Sequence, residues 1–178
     1  MTKRKNLVFI GLQIVSWVIF VGLCIEAGAM IVNFVFSLFK PEFVQNLYQK
    51  LDLSQMYNTN KWVYFGIYGF ILTISILKAY LFYVVTMLLH KLDLLKPFNN
   101  YVANQIKKIS YITLGIGIFS LIAREISQNM THYGIEIGKL NQFWEDGSAF
   151  LLMTAVIYVI ATIFSRGVEL QNENDLTV

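Results

Sequence analysis

Charged side chains are scarce in this sequence. Asp, Glu, Lys and Arg supply 14% of the 178 residues, whereas soluble domains carry about a quarter. Hydrophobic residues reach 56%, which is more apolar surface than a water-soluble core of this length buries. The expected solvent is therefore a lipid bilayer. The net charge of +3 is small, which indicates basic flanks at an anionic membrane surface and argues against direct binding to nucleic acid.

Cysteine is rare, and the residue patterns of known catalytic sites are missing. The single cysteine, Cys24, excludes a disulfide framework. No H-E-x-x-H, G-x-S-x-G or P-loop pattern occurs. His132 and Glu136 have the i, i+4 spacing of a metal-ligand pair, but Gly134 lies between them and no second histidine is near, which favours an ordinary loop. We therefore expect no catalytic residues, no metal site and no cofactor, and a protein that is not an enzyme.

The chain contains instead four apolar stretches that are long enough to cross a bilayer. They lie at about residues 7–39, 62–89, 107–130 and 147–166. This layout predicts a single domain over residues 1–178, an all-α membrane protein with four transmembrane helices in an antiparallel bundle. Ala27-Gly28-Ala29 has the form of a signal-peptidase site. The apolar run before it is longer than in most signal peptides, which favours an uncleaved first helix.

The connection between the first two spans has the periodicity of a helix. Pro41 ends the first span, because proline forces the residue before it out of helical geometry. After it, Phe43, Leu47 and Leu51 follow one another at i, i+4 and i+8. Residues 42–53 are therefore predicted to form a short extracytoplasmic amphipathic helix. Such a helix either lies on the membrane surface or caps the bundle.

Lysine and arginine residues are unevenly distributed between the two sides of the predicted bundle. The leader before the first span and the connection at 90–108 hold more of them than the connections on the other side. By the positive-inside rule, both termini and this connection are predicted to lie in the cytoplasm. The acidic tail, residues 167–178, is then also cytoplasmic.

Three charged residues interrupt or border the apolar stretches, namely Glu26, Lys78 and Arg124. Side chains in a helix lean towards its N-terminus, so Glu26 and Lys78 on antiparallel spans would lean towards each other. Arg124 is a competing partner for Glu26. We predict a buried charge cluster with two interpretations: a structural ion pair that fixes helix packing, or the lining of a cavity for a proton, ion or ligand.

Two stretches carry a resemblance to a known family. The connection after the second span reads Leu95-Lys96-Pro97-Phe98-Asn99-Asn100, in which Pro97, Phe98 and Asn99 form a Pro-Phe turn. The chain ends with an acidic segment and then Asp175-Leu176-Thr177-Val178. With the four-span layout, these features resemble the bacterial integral membrane family called domain of unknown function 2975. The resemblance implies a bacterial cell (inner) membrane protein, no catalytic or binding residues, and a regulatory or stress-related role beside a small helix-turn-helix regulator.

The end of the tail is itself a predicted contact site, formed by Asp175, Leu176, Thr177 and Val178. It is expected either to bind a protein partner through its end or to pack against the basic connection at 90–108 of the same chain. The leading functional hypothesis is a non-enzymatic membrane protein that acts through protein or lipid contacts, at the tail or at this connection. The alternative is a small transporter or channel subunit that uses the charge cluster and forms a homo-oligomer. A membrane enzyme is a third, weaker alternative.

Overall fold

The computed structural model describes residues 7–94, 97–131 and 138–176, without the side chains of residues 49 and 174–176. Within these ranges the chain forms five α-helices: α1 (Leu7–Phe39), α2 (Ser54–Thr59), α3 (Lys61–Lys91), α4 (Asn100–Thr131) and α5 (Gly147–Leu176). The described residues contain no β-strand. α1, α3, α4 and α5 contain segments long and apolar enough to cross a membrane. The predicted all-α class is thereby confirmed, and the four candidate spans are consistent with the predicted multi-pass membrane protein.

Local chemistry sets the ends of these helices. Lys40 precedes Pro41 and has an extended backbone, so α1 ends at Phe39. The side-chain oxygen of Asn60 accepts a hydrogen bond from the Trp62 backbone nitrogen at 3.0 Å and caps α3. Asn99 does the same for α4, with its side-chain oxygen 2.9 Å from the backbone nitrogen of Val102. Asn99 and Asn100, which precede an amphipathic stretch, are both candidate N-caps from the sequence, and Asn99 provides the cap.

The four long helices pack in a row, in the order α1, α3, α4, α5. α3 and α4 form the centre of this row, and the interface between α4 and α5 is the most extensive. α5 begins at Gly147 beside Ser120 of α4, although α4 continues to Thr131. The segment before α5 lies against α3 and α4, and it contributes Leu140 and Trp144 to the hydrophobic core.

The connection between α1 and α3 differs from the predicted amphipathic helix over 42–53. It forms two 3₁₀ turns, Pro41–Gln45 and Tyr48–Lys50, followed by the short helix α2. An isolated bridge joins Leu47 to Leu51, and Lys50 adopts a φ of 57°, in the left-handed region. The chain can therefore double back, and this buries Val44, Leu47 and Leu51 together in the core.

Candidate functional site

Lys78 lies near the middle of α3 and is partly enclosed by protein. Its side chain is 21% exposed, and the neighbouring Ile74 and Leu81 are buried. Nζ of Lys78 is 3.9 Å from Oδ2 of Asp146 and 5.7 Å from the centre of the Phe150 ring. The side chain therefore reaches the start of α5, and the negative charge and the aromatic face there stabilise its ammonium group.

Asp146 is well placed to hold this ammonium group, because it caps the N-terminus of α5. Its backbone carbonyl accepts a hydrogen bond from the Phe150 nitrogen at 3.0 Å. A carboxylate at a helix N-terminus interacts favourably with the helix dipole. The Asp146 side chain is, however, 61% exposed. Exposed ion pairs contribute about 0.2–1 kcal/mol to stability, so the contribution of this pair to stability is small. The pair links α3 to the start of α5.

The structure does not bring the predicted charge cluster together. Glu26 is partly exposed on α1, and Arg124 is exposed on α4. Among the described residues, neither of their side chains forms an ion pair. The prediction rests on the lean of side chains along antiparallel spans, and it contains no information on where α5 begins. The late start of α5 places Asp146 beside Lys78. The predicted direction of the Lys78 side chain, towards the N-terminus of its helix, agrees with the contact that is observed.

Small and hydroxyl-bearing residues line the interface between α4 and α5. On α4 these residues are Ser110, Thr113, Gly117 and Ser120, and all four are buried. The Oγ1 of Thr154 donates a hydrogen bond to Oγ1 of Thr113 at 2.9 Å. Short side chains let two helices approach closely, and hydroxyl groups bridge them where water is absent. Gly115 and Gly117 indicate close helix contact from the sequence, and Gly117 is the one that meets α5. The three- and four-residue spacing of the hydroxyl-bearing residues around Gly117 would have extended this prediction.

A second polar contact set joins α1 to α3. The hydroxyl of Tyr64 donates to Oγ of Ser37 at 2.8 Å, and the hydroxyl of Tyr68 donates to the carbonyl oxygen of Met30 at 3.1 Å. Both tyrosines are fully buried, so each hydroxyl needs such a partner. Near this end of the bundle, Nζ of Lys139 donates to the carbonyl oxygen of Lys50 at 3.0 Å and joins the two loops.

The predicted Pro-Phe turn packs against α5. The ring of Phe98 lies 5.2 Å from that of Phe164, measured between centres. A β-carbon added at Gly167 would lie 2.5 Å from Cδ1 of Phe98, so glycine permits this close approach. Pro97 precedes the contact, and Asn99 follows it as the cap of α4. The turn is therefore a packing element at the junction of α4 and α5.

Several predicted residues lie outside the described part of the chain. These are the side chains of Asp175 and Leu176, together with all of Thr177, Val178, His132, Glu136, Leu95 and Lys96. Within the part that is described, no group of three or more His, Cys, Asp or Glu residues could hold a metal ion. The described side chains form contacts between helices: an ion pair links α3 to the start of α5, and small residues let α4 and α5 pack closely.

Comparison with known proteins adds no family to this description. A scan against protein-family models, a search of curated proteins and a search of solved structures each found no match. The resemblance to domain of unknown function 2975 therefore stays a prediction. The assignment supported by the fold is a multi-pass membrane protein with four candidate membrane-spanning helices.

Proposed function

We propose that this chain is a non-enzymatic protein of the bacterial inner membrane that acts through lateral contacts with lipids or other membrane proteins. The observation that carries the proposal is the uneven burial of its helices. In the most apolar window of α1 only 6% of residues are buried, against 39% in α3 and 50% in α4. α1 therefore leaves much of its apolar surface exposed to its surroundings, which in a membrane are lipid tails or other helices.

The antiparallel bundle belongs to this proposal and has direct support from contacts near both ends of α1. Nε2 of Gln13 donates to the carbonyl oxygen of Leu89 at 2.8 Å, near the start of α1 and the end of α3. Ser37, near the end of α1, contacts Tyr64 near the start of α3. Together these two contacts support an antiparallel arrangement of α1 and α3. With the lysine and arginine distribution of the sequence, we propose cytoplasmic termini.

The proposed partners follow from the same features. Lipid is the first partner, through the exposed faces of α1 and α5. A protein partner at the cytoplasmic tail or at the connection 90–108 is the second, and the family resemblance suggests a small helix-turn-helix regulator. A second copy of this chain is a further partner for the exposed faces. The regulator, not the membrane chain, would contact nucleic acid.

A transporter or channel subunit is the second candidate, and Lys78 is the observation that favours it. A lysine near the middle of a membrane-spanning helix marks ion pathways in many membrane proteins. The geometry supports this candidate less well, because Lys78 is paired with Asp146, and among the described residues neither Glu26 nor Arg124 forms an ion pair. Transport predicts that Lys78→Met abolishes ion flux in liposomes while the protein remains folded and inserted.

Membrane extraction and site-directed cross-linking test the proposed function. Alkaline carbonate should leave the protein in the membrane fraction. A photoreactive amino acid at Val18, which is 66% exposed, should cross-link to lipid or to a membrane protein. The same group at the fully buried Met30 should cross-link only within the chain. Release into the soluble fraction, equal external cross-linking from both positions, or ion flux through the purified protein would contradict the proposal.

A further inference from the structure

A cleft of about 250 Å³ opens between α4 and α5, at the end of the bundle that holds the Pro-Phe turn. α4 contributes one lysine to its lining, and α5 contributes one face with hydroxyl and charged groups. The polar lining residues are Lys107, Tyr158, Thr162, Ser165, Arg166 and Glu169. This set is distinct from Lys78 and Asp146, and no role described above uses it.

The charges in the cleft favour an anion. Lys107 and Arg166 are both exposed and give two positive charges against the single negative charge of Glu169. Nη1 of Arg166 donates to Oε2 of Glu169 at 2.7 Å, which orients the guanidinium while its other donors stay available. Within the described part of the chain, Lys107 has no carboxylate partner.

The cleft lies at the depth where phospholipid headgroups begin. From Gly147 to Arg166, α5 rises ~28 Å at ~1.5 Å per residue, which is close to the ~30 Å of the hydrocarbon core. Arg166 therefore falls at the boundary between core and headgroups. Lys107 starts deeper, but its side chain leans towards the N-terminus of α4 and so extends towards the same boundary.

Apolar surface continues from the cleft towards the centre of the bilayer. Val159 is 57% exposed and Ile163 is 60% exposed, and both lie on the face of α5 beside the cleft. An acyl chain can lie along this surface while its headgroup occupies the cleft. A soluble anion would use only the charged and hydroxyl groups and would leave this apolar surface without a role.

We propose that this cleft binds the phosphate group of an anionic phospholipid, with Lys107 and Arg166 as the charged contacts. The hydroxyl of Tyr158 supplies a further donor to the phosphate oxygens, whereas the hydroxyls of Thr162 and Ser165 donate to the carbonyl oxygens of Tyr158 and Ala161 and add polarity to the lining. Basic pockets between transmembrane helices bind acidic lipid headgroups in this way. The inference rests on the proposed membrane function for its placement in a bilayer, and it goes further by naming a lipid class and a site.

Native mass spectrometry of the full chain in detergent micelles tests the site, with phosphatidylglycerol and phosphatidylcholine added in matched amounts. Phosphatidylglycerol should be retained preferentially. Lys107→Gln should weaken its binding about fivefold, the effect expected for one basic residue near a membrane surface, and the double change with Arg166→Gln should weaken it further. Lys108→Gln is the matched control. It removes the same charge one residue away, where Nζ lies 5.0 Å from the centre of the Tyr80 ring on α3.

The outcomes distinguish the phosphate of a lipid from free inorganic phosphate. They also distinguish a failure of this inference from a failure of the proposed function. Equal retention of both lipids, or equal weakening by Lys107→Gln and Lys108→Gln, overturns the lipid site. Displacement of phosphatidylglycerol by inorganic phosphate at matched concentration identifies a free anion as the ligand and also overturns it. Carbonate extraction is run in parallel. A protein that stays in the membrane but shows no lipid preference refutes the cleft alone, whereas release from the membrane refutes the proposed function.

Discussion

Replacing Gly117 by alanine tests the close packing of α4 on α5. A β-carbon at this position would lie 2.6 Å from Cδ2, 2.8 Å from Cγ and 3.2 Å from the backbone nitrogen of Leu151. Carbon atoms in ordinary contact are about 3.5–4.0 Å apart. Rotating the Leu151 side chain moves Cδ2 and Cγ but leaves the backbone nitrogen in place, and this nitrogen is also closer than ordinary contact, so α4 and α5 must shift apart locally.

The magnitude follows from comparison with Gly115 on the same helix. There an added β-carbon meets Cδ1 of Leu77 at 3.8 Å, which is ordinary contact. Exchanging glycine for alanine inside a helix stabilises it by about 0.5–1 kcal/mol, and this gain is shared by both variants. Overpacking costs about 1–3 kcal/mol and applies to Gly117→Ala alone. The two variants should therefore differ in free energy of unfolding by about 1–3 kcal/mol, with Gly115→Ala the more stable.

Equilibrium unfolding in mixed micelles, with sodium dodecyl sulfate as the denaturant and circular dichroism as the signal, measures this difference. The midpoint of Gly115→Ala should match or exceed that of the unaltered protein, and the midpoint of Gly117→Ala should be lower. Equal midpoints for the two variants would refute the close approach of α4 and α5. A loss of stability in Gly115→Ala alone would indicate that the other face of α4 makes the tight contact.

Two further predictions concern charged groups. A double-mutant cycle between Lys78→Met and Asp146→Asn should give a coupling of about 0.2–1 kcal/mol in the same unfolding assay. The effects of Lys78→Met and Glu26→Gln should be additive. Coupling between Lys78 and Glu26, with additivity between Lys78 and Asp146, would instead support the pair predicted from the sequence. Hydrogen bonds from Ser54 hold the pKa of Asp52 below its ordinary value of 3.8. The resulting stabilisation is present above about pH 3.8 and is lost as the pH falls through the lower folded pKa. Asp52→Asn should therefore be slightly less stable than the unaltered protein at neutral pH, and a difference that persists unchanged in acid would contradict this assignment.

The sequence predicts the helices well, because their signals are local. The apolar run from Leu7 is uninterrupted for long enough to identify α1, and Pro41 accounts for its end. Asn99 is recognisable as a cap from its position before an amphipathic stretch. Each of these features depends on neighbours within one or two turns, so a single sequence contains the information that decides it.

The failures involve contacts between distant parts of the chain. The i, i+4, i+8 spacing of Phe43, Leu47 and Leu51 predicts a helix, but burial of Leu47 and Leu51 in a shared core overrides that periodicity and leaves Phe43 43% exposed. The direction in which side chains lean along antiparallel helices predicts Glu26 as the partner of Lys78. The observed partner, Asp146, depends on where α5 begins beside α4, and helix rise does not give that register.

The late start of α5 has a consequence for the shape of the membrane around the protein. α4 continues from Ser120 to Thr131, about 16 Å past the level at which α5 begins, at ~1.5 Å per residue. The exposed apolar surface of α1 extends to Phe39, which is 80% exposed, whereas that of α5 starts only at Gly147. The hydrophobic belt is thus taller at one side of the row of helices than at the other. A bilayer of constant thickness accommodates such a mismatch by tilting the protein or by thinning beside the shorter helix.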